Sequence, residues 1–299
     1  MKKLTIALCA ALLAAGAAHA EDTLKKIKDS GSITLGVRES SGALAYTLGD
    51  GKYVGFHTEM AQRISADLQR QLGLAKLDVK MQPVTSQNRV PLVQNGTVDL
   101  ECGSTTNTAT RGKDVAFAMT TYVEETRIVT KANSGITGIA QLNGKNVATT
   151  TGTTSVQTLR KNERATGVDF KEVYGKDHAD SFLLVESGRA DAFVMDGSIL
   201  AGLIARAKNP ADFKVVGEPL SIEPIAIMMR KDDEGLRKIV NATIAQLTKS
   251  GEIQQLYDKW YMQPTPPTGA KMGLPMSEAL KAALKRPNAD PAEEYAKKM

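Results

Sequence analysis

Cysteine is almost missing from this chain. Of 299 residues only Cys9 and Cys102 carry a thiol, and Cys9 falls in what reads as a leader, so a single cysteine remains and no intramolecular disulfide can form. Histidine is nearly as scarce, at three. His178 has no cysteine or second histidine near it in sequence, which removes the usual zinc ligand sets, so neither metal nor cofactor is expected. Strong charge of one sign is lacking too: 38 Lys and Arg face 33 Asp and Glu. Because Lys2 and Lys3 leave with the leader, nothing argues for a nucleic acid partner. Apolar runs long enough to cross a membrane are also missing. The one candidate, residues 4–18, is too short and stands between Lys2-Lys3 and the small-residue ending Ala18-His19-Ala20. That is the plan of a secretory signal peptide over residues 1–20, and Cys9 lies inside the run rather than at its end, against a lipid-attached cysteine. The expectation is an exported, soluble, monomeric periplasmic protein with enough chain for two domains stabilised by buried core.

What is present is an alternation of helices and strands, the mark of an α/β protein. Residues 23–30 read as a short helix stopped by Gly31, and residues 32–37 as a buried strand ending at Arg38. Gly49-Asp50-Gly51 signals a hairpin, residues 58–72 a helix by their apolar spacing, and residues 77–84 a second strand. Leu92–Asp99, LVQNGTVD, is restated as LVESGRAD at residues 184–191: a helix end, a glycine stop and an aspartate entering an apolar strand. Repetition at that distance predicts two similar lobes. Two extended segments, residues 126–131 and 224–230, bracket the second unit and are the expected crossings. The boundaries that follow are residues 21–127 with 225–299 for one lobe and 128–224 for the other. The final residues are polar and expected to fray.

Function is expected to concentrate in residues 83–111, PVTSQNRVPLVQNGTVDLECGSTTNTATR, where Ser86 and Arg89 precede a helix while Ser104, Thr105, Thr106 and Arg111 follow an apolar strand. Hydroxyls and guanidinium groups on neighbouring loops suit a ligand carrying carboxylates. Each residue also has a plainer reading. Ser104 to Thr106, and Thr154 and Ser155 in TGTTS, are typical helix caps. Arg38 and Arg89 could pair with Glu39 or Glu101 at the surface, His178 could be a satisfied core or surface side chain, and Asp196 could cap a helix at Gly197-Ser198. Tyr46 could be core or a cover for the ligand's carbon chain.

The order of lobes, the paired Leu-x-x-x-Gly-x-x-Asp segments and GFHTEM (residues 55–60) resemble the type II periplasmic amino-acid-binding proteins that feed ABC importers, solute-binding family 3. VRESS (37–41), TSQNR (85–89), ECGSTTN (101–107), TGTTS (151–155), KDHADSF (176–182) and Met195-Asp196 are similar to its glutamate/aspartate-binding subgroup. The resemblance implies a two-lobed fold with two hinge crossings, an acidic amino acid ligand and an inner-membrane ABC permease as partner. It implies that Arg111, Ser104, Thr106 and Thr154 take the ligand's α-carboxylate. Asp196, with Ser104, would take its ammonium group, and Arg38, Ser86, Arg89 and His178 its side-chain carboxylate. There are two departures: GALAY follows Ser41 where relatives carry a proline and aromatics, and His57 stands where the family usually has an acid.

One arginine and one aspartate suffice for an amino-acid backbone, so two further arginines would be uncompensated without a second carboxylate on the ligand. The reading is therefore a binding protein for L-glutamate or L-aspartate that closes around its ligand, with no catalytic residue. The alternatives are another polar amino acid or dicarboxylate, or a periplasmic cyclohexadienyl-type dehydratase using His178 or Glu39. Against the enzyme, the sequence offers no second titratable partner at useful spacing. A receptor's sensory domain is disfavoured because no spanning helix follows the lobes.

Overall fold

A computed structural model describes residues 22–295 and residue 297; the signal peptide expected over residues 1–20 lies outside them. Helix α1 (Thr23–Ser30) starts where Asp22 accepts a hydrogen bond from the Leu24 amide at 3.0 Å and stops at Gly31, whose φ of 62° suits a residue without a Cβ. It leads into β1 (Ser32–Val37), followed by a small antiparallel ribbon of β2 (Ser40–Ser41), β3 (Ala45–Gly49) and β4 (Lys52–Val54). Helix α2 (Phe56–Gln71) begins two residues before the expected start. Gly55 allows this: a Cβ there would lie 2.6 Å from the Leu44 carbonyl oxygen, so only glycine brings the chain in so close.

The first sheet is completed by β5 (Asp78–Pro83), then, beyond α3 (Arg89–Gln94), by β6 (Leu100–Glu101) and β7 (Val115–Phe117). From Tyr122 the long strand β8 (Tyr122–Lys131) carries the chain into a second body built from β9 (Asn146–Thr150), α4 (Thr154–Thr166), β10 (Lys171–Gly175), α5 (His178–Glu186), β11 (Ala192–Asp196) and α6 (Gly197–Arg206). The return runs along β12 (Phe213–Ile225) into β13 (Met228–Arg230) of the first sheet, and α7 (Glu234–Lys249), α8 (Glu252–Tyr257), α9 (Glu278–Lys285) and α10 (Ala292–Tyr295) pack on the first lobe. Among the described residues the two five-stranded sheets have the orders β5-β1-β6-β13-β7 and β10-β9-β11-β8-β12. Each has its first parallel strand flanked by the next two, so the strand ends that gather ligand loops face each other across the lobes. No helix among the described residues is long and apolar enough to cross a membrane.

The repeated octapeptide is a repeated piece of structure. Gly96 and Gly188 both take positive φ, 76° and 74°. The Val98 amide donates to the Leu92 carbonyl at 2.9 Å, as the Ala190 amide does to that of Leu184 at 2.8 Å. Asp99 and Asp191 then accept from the amides of Thr34 and Asn146, each at 2.9 Å, locking β6 and β11 beside their parallel neighbours.

Two expectations need correction. The extended segment expected over residues 224–230 is not one strand. It joins the end of β12, which starts at Phe213 and passes a bulge between Val216 and Ser221 where Gly217 supplies the positive φ of 73° that the bulge needs, to the separate strand β13. The crossing therefore ends at Ile225, paired with Tyr122 at the start of β8. Nor does the described chain fray after residue 285: Tyr295 is buried in the first lobe's core, where the sequence offered a polar tail with no apolar periodicity to announce it.

Candidate ligand-binding cleft

Arg38 follows β1 and is 0% exposed. Its Nη2 donates to Ser86 Oγ at 3.0 Å and to Asp177 Oδ1 at 2.8 Å, and lies 3.1 Å from His178 Nε2, while Nη1 reaches Ser104 Oγ at 3.4 Å. A guanidinium can only donate, so Nε2 of His178 is the acceptor and Nδ1 carries the proton, given to Thr150 Oγ1 at 3.0 Å. Burial first, and then the Arg38 charge, push the His178 pKa down to about 3, so the ring is neutral. It has no second N–H to give a carboxylate. Asp177 opposes the cost of its burial with the Arg38 charge and the Ser40 hydroxyl, and its pKa falls to about 2.

Arg89, the first residue of α3, is 2% exposed and gives Nη1 to the Ser104 carbonyl at 3.0 Å. Its Nε has no hydrogen-bond partner and it forms no ion pair among the described residues. Burial and the Arg111 and Arg38 charges all work against its protonated form. The surface pairing considered for the two arginines does not occur: Arg38 pairs with Asp177, and the Glu101 carboxylate accepts instead from Thr105 Oγ1 at 2.5 Å.

Beyond β6, the loop of residues 104–111 presents Ser104, Thr106 and Arg111. Arg111 sits half-exposed at the rim, donating Nη1 to the Thr106 carbonyl at 2.8 Å and Nη2 to the Gly152 carbonyl of the other lobe at 3.2 Å. Thr106 and Thr154 give their hydroxyls to Glu223 Oε2 at 2.7 and 2.6 Å. The capping reading fails here. Thr153 turns its hydroxyl back to the Thr150 carbonyl at 2.8 Å, and no side chain caps α4. Ser104 Oγ lies 2.9 Å from Ser41 Oγ instead of on a helix amide.

Asp196 ends β11 at 1% exposure, and its carboxylate does not cap α6. Its Oδ1 has no hydrogen-bond partner. Burial, then Glu124 and Glu223, raise its pKa well above the usual carboxylate range. These two glutamates were missed by the sequence reading. They face each other as partners in β8 and β12, and Glu124 is itself pushed up to about 8 by burial. A signal existed: Tyr122, Glu124 and Thr126 share one phase of an apolar strand, so an acid there points inward. Asp177 lay in a quoted motif but was passed over beside its histidine. The cleft thus holds more titratable groups than the sequence indicated.

The lobes are closed on one another. Asp177 joins Arg38 and accepts from Ser40 Oγ at 2.8 Å, while the Ala179 amide donates to Ser40 Oγ at 3.1 Å. Backbones meet at glycines on both sides. A Cβ on Gly42 would lie 2.9 Å from Ile199 Cα, and one on Gly152 would lie 2.7 Å from Gln87 Cα. Of its two readings Tyr46 takes core: it is buried in the first lobe's apolar cluster, its hydroxyl donates to the Pro266 carbonyl at 2.7 Å, and the Arg206 guanidinium of the other lobe lies 4.0 Å from its ring centre. His57 is buried, with Nδ1 2.6 Å from the Gly103 carbonyl and Nε2 2.9 Å from Thr121 Oγ1, and burial lowers its pKa to about 4. The departure at that position puts a neutral spacer under the ligand loop.

All nine candidate residues therefore line the facing edges of the two lobes. A family model described as bacterial extracellular solute-binding proteins, family 3, matches residues 33–263. The glutamate/aspartate import solute-binding protein of Salmonella typhimurium is 43% identical over 96% of this chain and 98% of its own. The L-glutamate/L-aspartate-binding protein of Pseudomonas aeruginosa is 43% identical over 97% of each. Among solved structures, a mutant arginine-binding protein from T. maritima superposes with a TM-score of 0.70 at 29% identity, covering 79% of this chain and 98% of that one. An ancestral amino-acid-binding protein described as a precursor of cyclohexadienyl dehydratase gives 0.69 at 27% identity, over 80% and 99%.

Proposed function

The chain belongs to the bacterial extracellular solute-binding proteins of family 3, and from that membership and the cleft we propose that it captures L-glutamate or L-aspartate between its lobes and delivers it to the permease of an ABC importer. It does so in the periplasm, as a monomer and without turnover. The bodies that move are residues 21–127 with 225–299 against 128–224, hinged where β8 and β12 pair.

The observation that carries the acidic ligand is Arg89. Charge counting alone no longer does, because Asp177 already compensates Arg38. Arg89 remains a buried guanidinium with an unpartnered Nε and no ion pair among the described residues, the Glu101 and Asp196 charges acting on it only through space, and a distal carboxylate is the group that would relieve it. Arg38, Ser86 and Arg89 are the direct donors in this reading, and His178 acts through Arg38, since its only N–H is given to Thr150. Ser104, Thr106, Arg111 and Thr154 hold the α-carboxylate, Thr106 and Thr154 once the ligand draws their hydroxyls away from Glu223, with the uncapped first turn of α4 adding free amides. The unpartnered Oδ1 of Asp196 takes the ammonium. Glu124, Asp196 and Glu223 are acids enough for proton transfer, but hydroxyls bind Glu223 and Ser198 binds Glu124. Such fixed groups support holding over chemistry.

Titration calorimetry with L-glutamate, L-aspartate, L-glutamine and L-asparagine tests the ligand class. Charge-assisted hydrogen bonds worth about 1.5–3 kcal/mol predict a preference for the acids of about 10- to 150-fold. Glutamine binding within threefold of glutamate would remove the argument from Arg89.

A second expectation concerns protons. Burial and the neighbouring glutamates favour the protonated form of Asp196 in the ligand-free cleft, whereas an ammonium stabilises its ionised form. Binding then shifts Asp196 toward ionisation and releases protons, so affinity rises with pH through the range in which the free group still holds its proton. Calorimetry at pH 7 in phosphate and in Tris should show heats differing by the buffer ionisation enthalpy. Equal heats, with pH-independent affinity between pH 6 and 8, would rule this pairing out.

A further inference from the structure

The segment that looked disposable in sequence lies beyond residue 263, outside the family match, yet it touches the ligand loop at four points and the approach to the first crossing strand at a fifth. The Thr120 amide donates to the Asn288 carbonyl at 2.8 Å, just before the first crossing strand. Asn107 Nδ2 donates to the Ala289 carbonyl at 2.9 Å and reaches that of Asp290 at 3.4 Å. The Ala292 amide donates to the Asn107 carbonyl at 2.8 Å, and the Ala109 amide to Glu293 Oε2 at 2.9 Å. Asn107 is 5% exposed and gives its own amide to the Pro224 carbonyl of β12 at 2.9 Å. One residue thus ties together the loop, the hinge strand and the tail. Tyr295 anchors the whole by entering the first lobe's apolar core at 6% exposure.

We propose that residues 288–295 are a positioning strap for the α-carboxylate site. The proposal rests on the reading of Thr106 and Arg111 as that site, and Asn107 lies between them in the chain. A loop tied at Asn107 and Ala109 has its main chain ordered before the ligand arrives, so binding need not meet that ordering cost, and the donors of Thr106 and Arg111 are preset. No strap atom has to touch the ligand. Because the α-carboxylate is common to every amino acid, the strap acts on affinity and leaves selectivity alone.

The test uses the full chain carrying Tyr295→Ala, with Tyr295→Phe as the conservative rescue. Two quantities are read: L-glutamate and L-glutamine affinity by calorimetry, and amide hydrogen exchange across residues 104–111. Tyr295→Ala should weaken both ligands about tenfold, the equivalent of about 1.4 kcal/mol, while their ratio stays constant and exchange in the loop accelerates. Tyr295→Phe, which keeps the ring in the core, should restore both. Faster exchange with unchanged affinity would reduce the tail to a structural ornament, and a change in the glutamate-to-glutamine ratio would place its action at the wrong subsite; either overturns the proposal. A wild-type protein that does not bind L-glutamate defeats the ligand assignment instead. The strap is then judged by exchange alone, where rates in residues 104–111 unaffected by Tyr295→Ala overturn it.

Discussion

Arg111→Ala should abolish binding of every α-amino acid, acidic or neutral. The guanidinium has two jobs that alanine cannot share. In the proposed site its free N–H groups are the charge-assisted donors to the α-carboxylate, each worth about 1.5–3 kcal/mol. Facing the protein, Nη1 holds the Thr106 carbonyl and Nη2 the Gly152 carbonyl across the cleft, so its loss weakens closure as well as contact. Together these predict a fall in affinity of about 10²–10⁴-fold. The side chain is partly exposed at the rim and its two protein partners are carbonyls that water can satisfy once it is gone, so the melting temperature of the ligand-free protein should move by only a few degrees. Thermal shift is the direct check, with glutamate stabilising the wild type and leaving Arg111→Ala where it was. A variant that keeps its affinity within tenfold would remove Arg111 from the site.

Gly152→Ala should also defeat binding, for a steric reason with no chemistry in it. In the closed form its Cβ would stand 2.7 Å from Gln87 Cα and 2.8 Å from Gln87 N. Those are main-chain atoms of the opposite lobe and cannot rotate away. Each lobe can still fold, but the two cannot meet, and a ligand that stabilises only the closed state loses its purchase. The expected loss exceeds about a hundredfold, equivalent to about 2.8 kcal/mol, and small-angle scattering should show lobes that stay apart in saturating glutamate. Gly152 has a φ of 81°, so alanine also strains the backbone there. Gly167→Ala is the matching control: its φ is 67°, yet nothing lies within 4 Å of the added Cβ. It should lower stability by a similar amount and leave affinity unchanged. Comparable affinity losses in the two variants would mean that strain, not the wedge, is responsible.

Much of this molecule could be read before its structure, for physical reasons that also mark where reading stops. The LVQNGTVD and LVESGRAD repeat was legible because a helix stop, a positive-φ glycine and a strand-locking aspartate are local devices. The gathering of the polar side chains that follow β1 and β6 at one edge of the sheet was legible because loops at strand ends have a fixed side of the sheet to occupy. The opposition of Glu124 and Glu223 was not, since it depends on how two strands about a hundred residues apart pair. The Arg38–Asp177 ion pair crosses the lobes and exists only once they close, which is why charge counting along the sequence overstated what the ligand must supply. The tail was misread for a similar reason. Its attachment consists of backbone hydrogen bonds and one tyrosine, neither of which leaves a periodic trace in residues 286–295.

The two crossings are not independent cords. From Tyr122↔Ile225 to Thr126↔Ser221 they are hydrogen-bonded neighbours in one antiparallel ladder. Everything after Thr126 and before Ser221 therefore leaves and re-enters the first lobe through points one strand spacing apart, roughly 5 Å. Such a segment is an insertion in the architectural sense: it can be lifted out with a two-residue turn closing the gap, or exchanged for that of a relative without respacing the joint. The half of the proposed site that it carries, Thr154, His178 and Asp196, can then diversify as a cassette while the half on the first lobe stays fixed.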